Sequence, residues 1–115
     1  MAWEVEVSDE FKYWYEALLE DEQDSIIASV RLLRDFGPAL GRPHVDTVYG
    51  ATFPNMKELR VQHHGRPYRI LFAFDPRRHA YLIVGGDKTG DANWYESAIR
   101  RADAIYRQHL TEIGG

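Results

Sequence analysis

The 115-residue chain contains no cysteine, which excludes a disulfide scaffold, a thiolate zinc site and a cysteine nucleophile. No purely apolar stretch is longer than Ile70–Phe74, far short of the roughly 20 residues that span a bilayer. The first residues, Met1 to Glu6, lack the basic and apolar regions of a signal peptide. There is no internal repeat and no low-complexity segment. Neither sign of charge dominates strongly, with 14 Lys+Arg against 18 Asp+Glu. What is present is ordinary globular composition: 44% hydrophobic and 28% charged residues, which argues against disorder. The length fits one domain over residues 1–115, long enough to bury a core without staples. These features fit a cytoplasmic protein that does not enter a membrane.

The small net charge of −4 hides a strong asymmetry. Residues 1–36 sum to −7, residues 37–56 cancel, residues 57–88 sum to +4 and residues 89–115 to −1. An acidic front therefore precedes a basic middle, which is either a solvated strand face or an anion-binding surface.

Hydrophobic spacing orders the elements. Trp3, Val5 and Val7 alternate with Glu4 and Glu6 as a half-buried strand. Ser8 reads as a helix N-cap ahead of Phe11, Trp14, Tyr15, Leu18 and Leu19. Asp21 is a candidate cap for a second helix carrying Ile26, Ile27, Val30 and Leu33, which Gly37-Pro38 stops. The two helices are expected to form a hairpin. Pro38, Gly41, Pro43, Gly50 and Pro54 mark a connecting loop, with a short strand around Val45–Val48. A meander follows. Leu59 and Val61 alternate with Glu58, Arg60 and Gln62, and His63-His64-Gly65-Arg66 reads as a turn. Tyr68, Ile70, Phe72 and Phe74 share one face of the next strand; Arg69, Leu71 and Ala73 share the other. Asp75-Pro76 turns the chain into a strand over Ala80–Val84, ending on Gly85-Gly86. Asn93 and Glu96 resemble a capping box for a last helix striped with Trp94, Ala98, Ile99, Ala102, Ile105, Tyr106 and Leu110, with Gly114-Gly115 as its end. Strand, two helices, meander and helix make an α+β domain.

Few residues stand out for chemistry. His44, His63, His64, His79 and His109 show no metal-ligand spacing, so no metal is expected. In Gly85-Gly86-Asp87-Lys88-Thr89-Gly90 the lysine is misplaced for a phosphate-binding loop, and Lys88-Thr89-Gly90 lacks the Ser-x-x-Lys that a serine β-lactamase needs. What remains is a glycine turn presenting Lys88. Arg69 is the more unusual residue. A guanidinium in mid-strand among Tyr68, Ile70, Leu71 and Phe72 either faces a ligand or pairs with Glu58 or Asp87, because an unpaired buried charge is costly.

Taken in order, Lys57-Glu58-Leu59-Arg60, Tyr68-Arg69-Ile70-Leu71-Phe72-Ala73-Phe74, Leu82-Ile83-Val84-Gly85-Gly86-Asp87-Lys88-Thr89-Gly90 and Trp94-Tyr95-Glu96-Ser97-Ala98-Ile99, with Ala102-Asp103 and His109-Leu110 after them, resemble the HigB-like, phage-derived branch of the RelE/ParE toxin superfamily. The likeness covers nearly the whole chain. It implies a RelE/ParE-like fold: an N-terminal strand, a two-helix hairpin, an antiparallel meander of three to four strands and a C-terminal helix. It also implies the toxin of a type II toxin–antitoxin pair, an endoribonuclease that cuts messenger RNA, commonly on the ribosome, with no cofactor. The implied partner is a HigA-like helix-turn-helix antitoxin, through which alone the toxin would meet operator DNA. The alternative within the superfamily is a ParE-type toxin that inhibits DNA gyrase without cutting RNA.

Carried over position by position, the resemblance gives Arg69 the stabilisation of charge on the scissile phosphate. Lys88 would hold phosphate or protonate the leaving oxygen. Lys57, Arg60 and Arg66 would bind RNA, with Lys57, Arg60, Arg69 and Lys88 converging on one sheet face. Tyr95 would stack on a base or belong to the core. Several family nucleases use a His–Tyr pair near the chain end, whereas this sequence continues into a helix ending in His109-Leu110. That leaves the general base unassigned, with His63, His64 and Asp87 as candidates.

Overall fold

The computed structural model describes residues 2–114. Its order is β1 (Val5–Val7), α1 (Asp9–Glu16), α2 (Glu20–Phe36), a short 3-10 turn (Gly37–Ala39), β2 (Val45–Thr47), β3 (Lys57–His63), β4 (Arg66–Phe74), β5 (Ala80–Asp87) and α3 (Trp94–Gly114). The strands form one five-stranded sheet in the order β1-β5-β4-β3-β2. The expected meander is its antiparallel body, β3-β4-β5, with β2 added antiparallel at one edge. β1 closes the other edge parallel to β5, and α1 and α2 carry the chain from it across the sheet to β2 at the opposite edge.

The alternation along β4 explains the layers. Tyr68, Ile70 and Phe72 join Phe11 of α1 and Ile26 and Leu33 of α2 in one core. Leu71 and Ala73 point the other way and pack with Trp94, Ala98, Ala102 and Tyr106 of α3. Helices thus cover both faces, α1 and α2 on one and α3 on the other.

Local chemistry places the helices. Ser8 Oγ accepts the Phe11 N–H at 3.0 Å, as a cap should, and donates to the Ile83 carbonyl at 2.5 Å, tying α1 to β5. Asp21 does not cap α2. The cap is Leu19, whose N–H is taken by the Glu22 carboxylate at 2.9 Å, so the reach-back from the third helical residue does the work. Nor does the capping box at Asn93 form: the Asp91 carboxylate takes the Asn93 N–H at 3.0 Å, and Glu96 pairs with Arg100. α3 runs through Gly114; Gly115 and Met1 lie outside the described residues.

The glycine pair is not a turn. β5 continues through Gly85 and Gly86 to Asp87. A Cβ on Gly85 would lie 2.3 Å from the Trp14 ring and one on Gly86 2.4 Å from the Trp94 ring. Each glycine admits a tryptophan ring close against one face of the strand. One residue earlier a bulge lets Leu71 and Phe72 oppose Val84 and Leu82, so Ile83 and Val84 both face α3.

Candidate active site

β2 spans only three residues, so the outer half of β3 has no strand beside it. There Arg60 and Gln62, with Pro43 and His44 on the connecting loop, line a depression whose floor includes Arg69. On the other side of Arg60 a second depression is lined by Glu58, Tyr95, Asp46 and Ile99. The first lies at the sheet edge, where Ser29 of α2 also borders it, and the second lies against the first turns of α3.

The register makes this site an electrostatic problem. Arg60 and Arg69 are direct cross-strand partners, and like charges so placed repel. Glu58, two residues back on the same face, sits between them. Its Oε2 accepts Arg60 Nε at 3.0 Å, and its Oε1 accepts the Tyr95 hydroxyl. Arg60 also reaches Asp46 at 3.1 Å, so it is committed on two sides.

Arg69 is not. Its side chain is 10% exposed, and its Nη1 donates to the Tyr68 carbonyl at 3.0 Å. Its Nε forms an ion pair with Glu58 Oε1 at 3.8 Å, the counter-ion the sequence offered, at a separation too long for a hydrogen bond. Among the described residues Arg69 Nε is the one buried side-chain polar atom with no partner. Buried donors are nearly always satisfied, so this one is either a defect or a donor kept for something absent. Burial and the bond to Glu58 push the Tyr95 hydroxyl up, with the Arg69 charge opposing, so Tyr95 is a neutral donor at neutral pH. Lys88, beyond the end of β5, places its Nζ 5.6 Å from the Tyr95 ring centroid.

Arg69, Arg60, Lys88 and Tyr95 therefore lie together at one end of one sheet face. The other expected members do not join them. Lys57 has the opposite parity from Glu58 and Arg60 on β3 and pairs across to Phe72, whose ring is in the α1–α2 core, so it emerges on the other face. Arg66 is spent on ion pairs to Glu22 at 3.2 Å and Asp87 at 3.3 Å. Asp87 is held by Thr89 and Arg66. His63 and His64 lie against α2, near Asp21. His109 is buried at the far end of the sheet face, where its Nε2 meets Asp75 Oδ2 at 2.9 Å.

Glu58 is the residue that sequence reasoning missed. It read as the polar alternate of a strand and as one of two counter-ions for Arg69. Only the register, with Arg60 opposite Arg69, reveals a buried carboxylate between two guanidinium groups.

Residues 13–107 match the Gp49-like family of phage-derived proteins. Over 104 residues the chain is 50% identical to a candidate toxin of Mycobacterium tuberculosis, HigB3, covering 89% of this chain and 90% of the relative. It is 40% identical over 115 residues to a second, the candidate toxin HigB2, covering 98% of this chain; it spans only 57% of that relative's length. The fold matches a mutant E. coli toxin RelE in the free state with a TM-score of 0.64 at 12% identity, over 87% of this chain and 96% of that one. It matches the intact E. coli RelBE toxin–antitoxin complex with a TM-score of 0.57 at 9% identity, over 75% and 96%.

Proposed function

The chain belongs to the Gp49-like, phage-derived family and is a HigB-like member of the RelE superfamily, and from that premise we propose that it is a toxin of a type II toxin–antitoxin pair that cleaves messenger RNA on the ribosome. The observation that carries the reading is Arg69, which lines a cationic depression and whose buried Nε has no hydrogen-bond partner. A planar fork of donors suits phosphate oxygens, and a donor already desolvated and held in place is worth most to charge that develops during reaction.

In the reaction a ribose 2′-oxygen attacks the adjacent phosphorus and the 5′-oxygen leaves, giving a 2′,3′-cyclic phosphate and a new 5′-hydroxyl end. Arg69 stabilises the charge gathering on the non-bridging oxygens. Arg60, bonded to Glu58 and Asp46, positions the Glu58 carboxylate and adds positive charge beside the phosphate. Glu58 is the carboxylate that borders both Arg69 and Tyr95, and it takes the 2′-hydroxyl proton. Tyr95, kept protonated, fixes Glu58 and the approaching ribose. Lys88 protonates the leaving 5′-oxygen or neutralises it. These steps call on side chains alone. The partner that silences the toxin is a HigA-like antitoxin; the solved RelBE complex, which shares the fold, supports a protein partner of this kind.

The test is induced expression in a bacterial host lacking the antitoxin, with 5′-end mapping of cellular RNA. New 5′-hydroxyl ends inside translated messages, absent with Arg69→Ala, are the expected result. Growth arrest with intact messages would overturn the nuclease reading in favour of a protein target such as gyrase.

A further inference from the structure

A regular strand would send His63 and His64 to opposite faces of the sheet. The β3–β4 hairpin prevents this. It is closed by two residues, His64 and Gly65, with φ of 48° and 78°, the primed turn that usually carries Asn-Gly. A histidine at its first position is strained, and its left-handed backbone turns the His64 imidazole towards the start of α2, which His63 already faces by strand parity with Leu59 and Val61. Their ring centroids lie 4.2 Å apart. His63 Nε2 is 3.4 Å and His64 Nε2 is 3.6 Å from one and the same atom, Asp21 Oδ2.

Those separations are informative. A tetrahedral zinc ion bound at about 2.0–2.2 Å holds its ligand atoms roughly 3.4 Å apart. The remaining polar atoms are already placed to leave these three free. His63 is buried and its Nδ1 is engaged by Ser25 Oγ at 2.7 Å, which fixes the ring with Nε2 outward. Asp21 Oδ1 accepts the Glu22 N–H at 2.9 Å, leaving Oδ2. Glu22 is committed to Tyr68, Arg66 and the Leu19 N–H and does not complete the shell. Among the described residues this is the one such group of histidines and acids.

We propose that Asp21, His63 and His64 bind a late first-row divalent cation, Zn²⁺ above all, through one carboxylate oxygen and two imidazole nitrogens. Imidazole donors select such ions over Mg²⁺ and Ca²⁺. Because Asp21 and His64 are exposed, the fourth position opens to solvent. The ion sits on the α2 side of the sheet, away from Arg69, and ties the β3–β4 hairpin that carries Arg60 and Arg69 to the start of α2. No step of RNA cleavage passes through it.

The experiment is titration of the full chain, stripped with a chelator, with Zn²⁺ by calorimetry and with Co²⁺ by visible absorption. One Zn²⁺ per chain and the d–d bands of a low-coordinate Co²⁺ site are expected. His64→Asn installs the residue the turn itself prefers, so it keeps the hairpin and loses the ion. Ser25→Ala keeps all three ligands on a residue type the helix favours, and weakens binding by about 10–100-fold. Circular dichroism of the metal-free variants checks that each is folded. No uptake by the unaltered chain up to about 1 mM Zn²⁺, or undiminished affinity in His64→Asn, overturns the proposal.

Discussion

Two charged clusters lie on the same face of the sheet, at opposite ends of β4, and they are finished differently. Asp75, just past the end of β4, is fully buried and fully answered. Its carboxylate accepts Arg77 Nη2 at 2.8 Å, the Arg77 N–H at 2.9 Å, the His79 N–H at 3.2 Å and His109 Nε2 at 2.9 Å. His109 in turn stacks on Tyr81 with rings 3.6 Å apart and nearly parallel. Arg69, six residues earlier and so about 20 Å away along the strand, is buried with one donor unanswered. A saturated network of this kind fastens the end of α3 to the β4–β5 turn. An unsaturated one adds no such stability and makes sense only if something else completes it. The fold thus separates its structural ion cluster from its chemical one by the length of a strand.

The comparison can be broken at either end. Asp75→Ala should have the largest effect, a loss of about 3–5 kcal/mol measured by denaturant unfolding, because it strands several donors and a buried histidine together. Cleavage by the folded fraction should be unaltered. Arg69→Ala should do the reverse. Cleavage falls by about 10²–10³, while the unfolding midpoint stays near that of the unaltered chain, since Glu58 keeps Arg60 and Tyr95 and the repulsion between Arg60 and Arg69 is relieved. If Arg69→Ala unfolds the protein, the two clusters are alike and both are structural.

Acid sharpens the contrast further. Burial alone would push the Asp75 carboxyl up, but the bonds from Arg77, His109 and the backbone hold it down at about 2, against an ordinary 3.8. A folded-state value below the unfolded one contributes stability that is complete above about pH 4 and is lost as the pH falls towards 2. The amount is about 2 kcal/mol. Unfolding midpoints measured from pH 5 to pH 2 should show that loss, and Asp75→Asn should flatten it. The smallest effect belongs to Lys57→Ala. Lying on the far face of β3, it should change stability by no more than about 0.5 kcal/mol and leave the rate of the chemical step intact, whereas Arg60→Ala, on the site face, should not.

Much of this is legible in the amino-acid sequence. The Ser8 cap, the face alternation of β4 and the stripe of α3 are local patterns, and each follows from the geometry of a single element. Arg69 and Lys88 stood out because charge in an apolar strand and lysine after a glycine run break local rules. What misled was also local. Gly85-Gly86 looks like a turn until Trp14 and Trp94 arrive from opposite sides. Asp21 looks like a cap until Glu22 takes that task. Lys57 looks like a partner of Arg60 until parity sets them on opposite faces.

The amino-acid order by itself determined the elements, the two-faced core and the presence of an acidic front before a basic middle, because periodicity and capping act over a few residues. Only the tertiary structure decided that Glu58 would lie between Arg60 and Arg69, that Asp75 would receive His109, and that Asp21 would meet His63 and His64. Those meetings depend on strand register, on a bulge at Ile83 and on the hand of one two-residue turn. A shift of one residue in any of them would turn the side chains to another face while leaving every local pattern intact.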